Sequence, residues 1–532
     1  MMTLDEAAAG PPFDIVVIGG GINGAAVARE AALRGLRTAL FEQEDFGFGT
    51  TWRSTRLIHG GLRYLEHGDV RLVFEALQER AWLLKTRRHL VEPLRFLIPK
   101  LPWTRRPAWQ LRAGLALYDL LALYRELPGH KSLSDGRLRE LLPGLSDEAK
   151  GGLSFFDARA LSPERLALEL ALEARDHGAL VLNHARVTEI ENKNGLISSV
   201  EVESAGRRFR VPTRAIVNAA GPWVDAVAAV TGDAPAPLLG VTKGTHIVLE
   251  TDEHPGRDAV FSTAKSDGRV FFAVPQGRLL LIGTTDTRFE ADASSVRPGA
   301  DEIAYLLDEA RLLFPGRGFR LEQVRYSYAG LRPLRAVKGG PEAAITRRHE
   351  VIDHAKAGGP EGLVSCVGGK LSTFRPLARE VIDRLAPGSR ALKGEVVASV
   401  SWREDLEVAG LPPATARRLR KYGPAIPRIL AGGTAPLARD AIEGEIRHAA
   451  GAEAGVTLSD ILMRRSGLAW GASRGLDCHQ EAAVIAGEVL GWSGAERAAQ
   501  VLAFERDVAF HLPTPDELGS TANEGAGVAS PQ

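Results

Sequence analysis

Residues 14–42, DIVVIGGGINGAAVAREAALRGLRTALFE, are the stretch that decides the fold. Residues 14–18 predict a buried strand, and Gly19, Gly21 and Gly24 predict the turn into a helix. In this spacing one glycine permits the tight turn, one lets the backbone approach a pyrophosphate, and one lets the helix pack closely on the strand. The stretch therefore predicts the first strand, helix, strand unit of a Rossmann-type α/β domain.

The second strand of this unit ends on Glu42. A carboxylate there accepts hydrogen bonds from a ribose diol and repels an adenosine 2′-phosphate. The helix directs its unpaired N–H groups and its positive dipole end at the phosphates. A lone glycine motif also occurs in unrelated α/β turns, but the register of both strands, the helix and the terminal acid favours a dinucleotide site.

The composition is that of an ordinary globular protein of 532 residues, with 45% hydrophobic and 25% charged residues, which predicts about two to four domains. The formal net charge is zero, so no nucleic-acid partner is expected. Two cysteines far apart fit a reducing, cytoplasmic compartment and predict neither disulfides nor a metal site. No apolar run reaches the roughly 18 residues of a membrane span.

Small and hydroxyl residues recur after the first unit. Thr50, Thr51 and Ser54 lie in a loop that suits a phosphate chain, and His59-Gly60-Gly61 lets the backbone lie flat against a planar ligand. A second turn of small residues follows a strand at residues 218–221, and paired glycines follow another at residues 368–369. A two-nucleotide cofactor such as FAD needs these later turns, whereas a nicotinamide dehydrogenase does not.

Residues 19–26 (GGGINGAA) and 56–67 (RLIHGGLRYLEH) closely resemble the FAD-dependent glycerol-3-phosphate dehydrogenases, respiratory enzymes that pass electrons to quinone. The resemblance continues in ordered blocks over most of residues 14–375. These blocks are NAAGPW at 218–223, KGTH at 243–246, IGTTD at 282–286, YAGLRPL at 328–334, ITR at 345–347 and GGKLST at 368–373. One departure is Trp52, where relatives have a small hydroxyl residue, and it leaves the path of the loop open.

The resemblance implies a discontinuous FAD-binding Rossmann-type domain, an antiparallel β-sheet substrate domain and a helical C-terminal domain. The α/β chain then divides into a flexible N-terminus (1–12), FAD-binding segments (13–90, 149–223 and 347–388), a basic and aromatic insertion (91–148), a β-rich substrate domain (224–346), a helical domain (389–512) and a disordered tail (513–532). The flavin-binding residues expected are Gly19, Gly21, Gly24, Glu42, Thr50, Thr51, Ser54, His59, Gly60, Gly61, Val187, Ala220, Gly221, Gly368, Gly369, Lys370, Leu371, Ser372 and Thr373.

The substrate implied by the resemblance is glycerol 3-phosphate, oxidised to dihydroxyacetone phosphate. The resemblance places Arg63, Arg332 and Arg347 in the pocket, with Tyr64 and Lys370 beside them. The guanidinium fork of arginine matches phosphate oxygens and stays charged. A surface ion pair is the alternative interpretation of any one arginine.

Oxidation at C2 sends a hydride to flavin N5 and a proton from the hydroxyl to a base. His246 is the first candidate for that base or for a hydrogen-bond partner of the hydroxyl, because imidazole titrates near working pH. A purely structural histidine is the alternative, and His59 is the rival catalytic candidate. Lys370 is a candidate for stabilising negative charge on the flavin, and Asp286 for ordering its loop.

Residues 95–131 hold seven basic and two acidic residues, interleaved with Trp103, Trp109, Tyr118 and Tyr124, and an amphipathic helix is predicted at 111–124. Such a segment suits an anionic membrane surface, which a quinone reductase must reach. A solvated face over a packed helix is the alternative. The sequence predicts a homo-oligomer, a dimer, that is cytoplasmic or peripheral on the inner face of the membrane. An oxidase that uses oxygen and a non-catalytic flavin sensor remain alternatives to the quinone-linked dehydrogenase.

Overall fold

The structure is a computed structural model, and it describes residues 2–123, 127–231, 237–251, 256–336, 348–390, 410–438 and 440–512. The side chains of Arg63, Glu66 and His67 lie outside this description. Arg347 and the tail at residues 513–532, for which the sequence gives predictions, also lie outside the described residues.

Helices and strands alternate through the first half of the chain. The helices are α1 Leu4–Ala9, α2 Ile22–Leu33, α3 Val70–Thr86, α4 Ala108–Leu121, α5 Asp135–Leu141, α6 Pro163–Asp176, α7 Val224–Ala229, α8 Ala300–Leu313, α9 Phe374–Leu385, α10 Pro413–Leu419, α11 Ile426–Ala431, α12 Glu443–Ala452, α13 His479–Leu490 and α14 Gly494–Phe510. The strands are β1 Ile15–Ile18, β2 Thr38–Phe41, β3 Leu57–Ile58, β4 Val91–Pro99, β5 Lys131–Leu133, β6 Gly152–Ala160, β7 Leu180–Leu182, β8 Ala185–Lys193, β9 Leu196–Ser204, β10 Arg207–Pro212, β11 Ile216–Asn218, β12 Leu239–Glu250, β13 Ala259–Thr263, β14 Val270–Gln276, β15 Leu279–Gly283, β16 Thr287–Arg288, β17 Val324–Arg335, β18 Glu350–Asp353, β19 Leu363–Val367, β20 Pro436–Ala438 and β21 Ala441–Ile442.

The first sheet has the order β18-β19-β11-β1-β2-β7, parallel except at β18. Helix α2 packs against α6 and α9 on one face, and the small antiparallel sheet β10-β9-β8 covers the other. Both faces are therefore buried, which explains why β1, β2 and β11 are buried at every position without alternation. The parallel strands end at one edge, where ligands bind in this class of sheet.

The second sheet has the order β16-β12-β15-β14-β13-β4-β6-β3, with β17 on β12 and β5 on β6. All of its pairings are antiparallel except that of β13 with β4. The prediction that residues 91–148 are an insertion is wrong for β4, which lies inside this sheet. β4 belongs to the sheet because its apolar side chains Leu94, Phe96 and Leu97 are buried in the core.

The prediction of a flexible N-terminus is also wrong for α1. The Thr3 hydroxyl accepts a hydrogen bond from Glu6 N while Glu6 Oε2 accepts one from Thr3 N, which forms a capping box. Ala7 is buried against the small sheet, and Asp5 pairs with Arg207 of β10. A short helix with a good cap and a buried face is therefore ordered against the small antiparallel sheet.

The C-terminal part is helical, as predicted. Its core is continuous with that of the second sheet, since residues of α12, α13 and α14 pack in one apolar cluster with residues of β12 and β17. Asp45, in the loop after β2, accepts hydrogen bonds from Arg464 and Arg465 at 2.6–2.7 Å. Among the described residues, none of the helices combines the length and the apolar character that crossing a membrane requires.

Candidate functional site

A cleft of about 1090 Å³, including open solvent at its mouth, lies at the edge where the parallel strands of the first sheet end. Separate parts of the chain line it: the glycine turn, the loop after β2, the start of β8, the turn after β11, Pro333 of β17 and residues 368–371 after β19. Of the expected flavin-binding residues, it includes Gly19, Gly21, Glu42, Thr50, Thr51, Ser54, Val187, Ala220, Gly221, Gly368, Gly369, Lys370 and Leu371. The sequence blocks are thus brought together at one site.

The first turn has no room for side chains at two of its glycines. A Cβ on Gly24 would lie 1.8 Å from Gly19 O, so α2 sits directly on the turn. Gly19 has φ +105°, and a Cβ there would lie 2.7 Å from Ala219 O. Gly21 differs, because a Cβ there would meet, among the described residues, only Thr51 Oγ1 at 3.4 Å. Gly21 therefore borders the cleft and leaves its backbone accessible to a ligand.

Glu42 holds the turn through both of its carboxylate oxygens. Oε2 accepts a hydrogen bond from Gly20 N at 2.5 Å, and Oε1 accepts one from Glu44 N at 2.9 Å. Burial raises the pKa of Glu42 to about 7 despite these bonds. Each oxygen keeps acceptor capacity, so the side chain can also receive the hydroxyl groups of a ribose.

The loop after Glu42 follows a path that Trp52 explains. Ile22 N donates to Thr51 Oγ1 at 3.0 Å, and Thr50 Oγ1 donates to Leu331 O at 2.6 Å. The indole of Trp52 turns away from the cleft and stacks on Trp470 of the C-terminal part, with ring centroids 4.4 Å apart. The hydroxyl residues therefore stay at the cleft while Trp52 attaches the loop to the C-terminal domain.

A buried hydrogen-bond network supports the His59-Gly60-Gly61 segment. Tyr118 Oη accepts a hydrogen bond from Gly60 N at 2.8 Å and donates to Asp157 Oδ2 at 2.7 Å. Arg80 donates to Asp157 Oδ1 at 2.7 Å. Burial and the neighbouring Asp157 carboxylate raise the pKa of Tyr118, so its hydroxyl stays protonated. His59 accepts a long hydrogen bond, 3.5 Å, from Ser372 Oγ at its backbone oxygen.

His246 and Arg332 come together because β12 and β17 pair along their whole length. Arg332 donates from Nη1 to Asp286 Oδ1 at 3.0 Å and from Nη2 to Thr284 Oγ1 and Thr285 O at 3.1 Å each. A Cβ on Gly244 would lie 2.2 Å from Arg332 Nη2, so this glycine makes room for the guanidinium. We call this group of residues the His246–Arg332 pocket.

The imidazole of His246 is buried and stacks on the ring of Tyr328, with centroids 4.9 Å apart. Its Nε2 lies 2.9 Å from Thr55 Oγ1. Burial, followed by the positive charges of Arg332 and Arg56, lowers the pKa of His246 to about 3. His246 is therefore neutral at physiological pH, as an acceptor of a proton or a hydrogen bond must be.

The segment after β19 joins the cleft to this pocket. Gly368 N donates to Pro333 O at 2.8 Å, next to Arg332, and Gly368 O accepts a hydrogen bond from Asn23 Nδ2 at 3.3 Å. Lys370 Nζ lies 3.6 Å from the centroid of the Tyr64 ring. Ser372 and Thr373 are buried beyond it. Lys370 and Tyr64 are therefore neighbours, whereas Arg347 and the side chain of Arg63 lie outside the described part.

The aromatic and basic segment at 95–131 is only partly as predicted. A helix is present as α4, but Tyr118 is buried, Trp103 Nε1 donates to Thr263 O at 3.0 Å, and Arg95 pairs with Asp258 at 2.6 Å. Trp109 is 71% exposed. Sequence reasoning missed the network of Tyr118, Asp157 and Arg80, because nothing in the spacing of these residues marks them as partners.

Comparisons with known proteins agree with this arrangement. A family model described as FAD dependent oxidoreductase matches residues 14–375, and one described as the C-terminal domain of alpha-glycerophosphate oxidase matches residues 373–497. A glycerol-3-phosphate dehydrogenase of Synechocystis sp. is 40% identical over 386 residues, which cover 70% of this chain and 70% of that protein. The chain belongs to the FAD-dependent glycerol-3-phosphate dehydrogenase family.

Two further relatives extend the match within this family. A D-erythritol 1-phosphate dehydrogenase of Brucella abortus is 36% identical over 484 residues, 85% of this chain and 94% of that protein. The structure of a glycerol-3-phosphate dehydrogenase from Bacillus halodurans, complexed with FAD, has a TM-score of 0.76 at 25% identity and covers 96% of this chain and 97% of that one. The family member described here is an FAD-dependent oxidoreductase, and its cofactor is FAD.

Proposed function

We propose that the enzyme oxidises sn-glycerol 3-phosphate to dihydroxyacetone phosphate and delivers the electrons to a quinone. The observation that carries the proposal is the His246–Arg332 pocket, in which a neutral imidazole and a fixed guanidinium adjoin the cleft. FAD, when bound, would supply the two-electron acceptor for the hydride of C2. The chain itself binds the phosphate, orients the C2 carbon and holds the hydroxyl proton.

Arg332 anchors an anionic group of the substrate. Its guanidinium is already fixed by Asp286, Thr284 and Thr285, so little side-chain entropy is lost when an oxyanion binds. Charge-assisted hydrogen bonds of this kind are worth roughly 1.5–3 kcal/mol each. We assign Arg63 and Arg347 to the same phosphate from the sequence, with Tyr64 and Lys370 beside it.

His246 accepts the hydrogen bond of the C2 hydroxyl and then its proton. The pKa of its imidazole is low partly because the Arg332 and Arg56 cations lie nearby. A bound phosphate dianion offsets those charges and raises the pKa, which makes the imidazole a better base once the substrate is present. In this proposal His59, with Gly60 and Gly61, lies near the flavin rather than beside the C2 atom of the substrate.

The decisive experiment is anaerobic mixing of the FAD-loaded enzyme with glycerol 3-phosphate while the flavin absorbance is recorded. We expect bleaching at a rate that saturates with substrate, and much slower bleaching with Arg332→Gln at equal FAD content. If no polyol phosphate bleaches the flavin, the protein is a flavin-bound sensor and not a dehydrogenase.

The electron acceptor is tested on the reduced enzyme. We expect rapid reoxidation by a soluble ubiquinone analogue and slow reoxidation by oxygen. The alternative comes from the family model for residues 373–497, whose description names an oxidase. Oxygen consumption that matches substrate oxidation, with one hydrogen peroxide per turnover, assigns the enzyme to the oxidases.

A longer polyol phosphate is the second candidate substrate. The relative named D-erythritol 1-phosphate dehydrogenase matches 85% of this chain, whereas the glycerol-3-phosphate dehydrogenase of Synechocystis sp. matches 70%. We therefore compare kcat/KM for glycerol 3-phosphate and D-erythritol 1-phosphate. A value at least about ten-fold higher for the four-carbon substrate, equal to about 1.4 kcal/mol in transition-state binding, reassigns the substrate.

We also propose that the enzyme is peripheral on an anionic membrane and meets the quinone there. The support is the α4 apolar face, defined as Trp109, Leu117 and Leu120, all of which are exposed. Trp109 and Leu120 are about three turns apart and so share one side of the helix. Basic residues of the same segment supply attraction to anionic lipid.

The α4 apolar face is tested with Trp109→Ser/Leu120→Ser, which is a better variant than changes at Arg105, since the Arg105 guanidinium contacts Asp267 O. We expect the double variant to lose co-sedimentation with anionic liposomes while keeping dye-linked activity. The matched control is Leu502→Ser on α14, also exposed, which should co-sediment like the wild type. If the wild type, the double variant and Leu502→Ser co-sediment equally, α4 is an ordinary solvated helix and not a membrane contact. Sedimentation velocity tests the predicted dimer in the same samples.

A further inference from the structure

Three basic side chains surround the stacked indoles of Trp52 and Trp470. The Arg53 Cζ atom lies 5.2 Å from the Trp52 ring centroid, and the His511 ring lies 5.2 Å from the same ring and 5.7 Å from Trp470. The Arg474 Cζ atom lies 5.0 Å from the Trp470 ring. We call Arg53, Arg474 and His511 the basic cluster. It joins the loop after Glu42 to the C-terminal part.

The basic cluster has buried nitrogen atoms without hydrogen-bond partners among the described residues. Arg474 is 4% exposed and His511 7% exposed. Nη1 of Arg474 donates to Ala469 O at 2.5 Å, but its Nε and Nη2 have no hydrogen-bond partner among the described residues. Arg53 Nε and His511 Nδ1 likewise have no hydrogen-bond partner within the described part of the chain. Buried N–H groups are nearly always satisfied in folded proteins.

Neighbouring arginines show the normal arrangement. Arg464 and Arg465, also buried, share the carboxylate of Asp45, and Arg464 binds Asp460 as well. No carboxylate of the described residues pairs with Arg53 or Arg474 in this way. Burial lowers the pKa of Arg53 and of Arg474 to about 10, so both remain charged at neutral pH. In the described part of the chain, the basic cluster therefore has no carboxylate partner of the kind that Arg464 and Arg465 have.

We propose that the basic cluster binds a small oxyanion, a phosphate or a carboxylate group. Guanidinium groups match the oxygens of both, and the aromatic rings exclude water around them. The site is separate from the His246–Arg332 pocket but adjoins it, since Tyr328 lies 4.9 Å from the His246 ring and 5.2 Å from Trp52. Two sources supply this chemistry: free phosphate, and carboxylates of residues 513–532, among them Asp516 and Glu517.

The test measures saturable binding of radiolabelled inorganic phosphate to the full-length, FAD-loaded protein carrying Arg332→Gln, which weakens any phosphate site in the His246–Arg332 pocket. We expect one phosphate per chain. Adding Arg53→Gln or Arg474→Gln should weaken that binding by at least about ten-fold. Arg207→Gln, a change of equal charge on the exposed surface, should leave it unaltered.

A second arm identifies the source. If phosphate binds only after Asp516→Asn/Glu517→Gln, the chain's own carboxylates occupy the basic cluster. FAD content and melting temperature report whether each variant is folded, and Arg53→Gln, at a partly exposed position, serves where Arg474→Gln does not fold. The proposal is overturned if no phosphate binds in either background, or if binding is indifferent to both Arg53→Gln and Arg474→Gln.

Discussion

The FAD cleft and the His246–Arg332 pocket adjoin each other but are built from different material. The cleft depends on glycines where a Cβ would collide, with the start of α2 at its edge. The pocket is made of side chains that two paired strands and two loops bring together from residues far apart in the chain. The comparison teaches that the cleft depends on local sterics, whereas the pocket depends on strand pairing.

The largest effect that separates the two regions is expected at Gly24. A Cβ there would lie 1.8 Å from Gly19 O, so Gly24→Val should disrupt the turn and abolish both FAD binding and stable folding. Gly21→Ala makes the matched control, since its Cβ meets only Thr51 among the described residues. That variant should keep the melting temperature of the FAD-free protein and lose FAD affinity. Equal melting temperatures for both variants would contradict the steric argument.

The next largest effect is expected in the pocket, at Arg332. Arg332→Gln should lower kcat/KM by at least about ten-fold, because one or more charge-assisted hydrogen bonds worth roughly 1.5–3 kcal/mol are lost. FAD content should not change, since the guanidinium is held by the 282–286 loop and not by the cleft. Steady-state kinetics and the flavin absorbance of the same sample measure both. A variant that loses FAD as well would show that pocket and cleft are not independent.

A smaller effect is expected at the network behind the His59-Gly60-Gly61 segment. Tyr118→Phe leaves Gly60 N and Asp157 without the hydroxyl that joins them. Leaving a buried polar group unsatisfied costs about 1–3 kcal/mol, so the melting temperature should fall by a few degrees. If the network positions the His59-Gly60-Gly61 segment against the flavin, the visible flavin spectrum and the rate of flavin reduction should change too. An altered melting temperature with an unaltered spectrum would leave Tyr118 a purely structural residue.

The sequence predicted the cleft well because its signals are short-range. Glycine spacing, an apolar strand and a terminal acid all lie within residues 14–42, and the structure gathers them with the later glycine turns. The family relationship predicted which residues share the pocket, but strand pairing alone explains why His246 lies opposite Tyr328 and Lys243 opposite Leu331. A one-residue change of register would turn these side chains to the other face.

Three failures have physical reasons. β4 was predicted as part of an insertion because the prediction relied on the basic and aromatic residues of this segment. It did not use the apolar residues of β4 itself, which are buried. Tyr118 was predicted as an interfacial aromatic residue, since side-chain spacing gives no sign of a partner as distant as Asp157. The N-terminal helix was missed because a capping box in six residues is a weak signal without the surface on which the helix packs.

The smallest expected effect concerns pH. In both regions burial favours the neutral form of an ionisable side chain. Burial raises the pKa of Glu42 in the cleft to about 7 and lowers that of His246 in the pocket to about 3, and in each case it favours the neutral form. The sequence suggested a histidine that titrates near its ordinary pKa of about 6.5. Because protonation of His246 begins only near pH 3, the imidazole stays an acceptor throughout the working range.

We therefore expect the ratio of kcat/KM between the wild type and His246→Gln to be constant from about pH 8 to about pH 5. Taking the ratio cancels the ionisation of the substrate phosphate, which titrates near pH 6, and leaves only the contribution of His246. A ratio that falls with a midpoint near 6.5 would mean that His246 exchanges protons with solvent before the substrate binds. The pocket would then be more open than the burial of His246 and its stacking on Tyr328 indicate, and the low pKa assigned to this imidazole would be wrong.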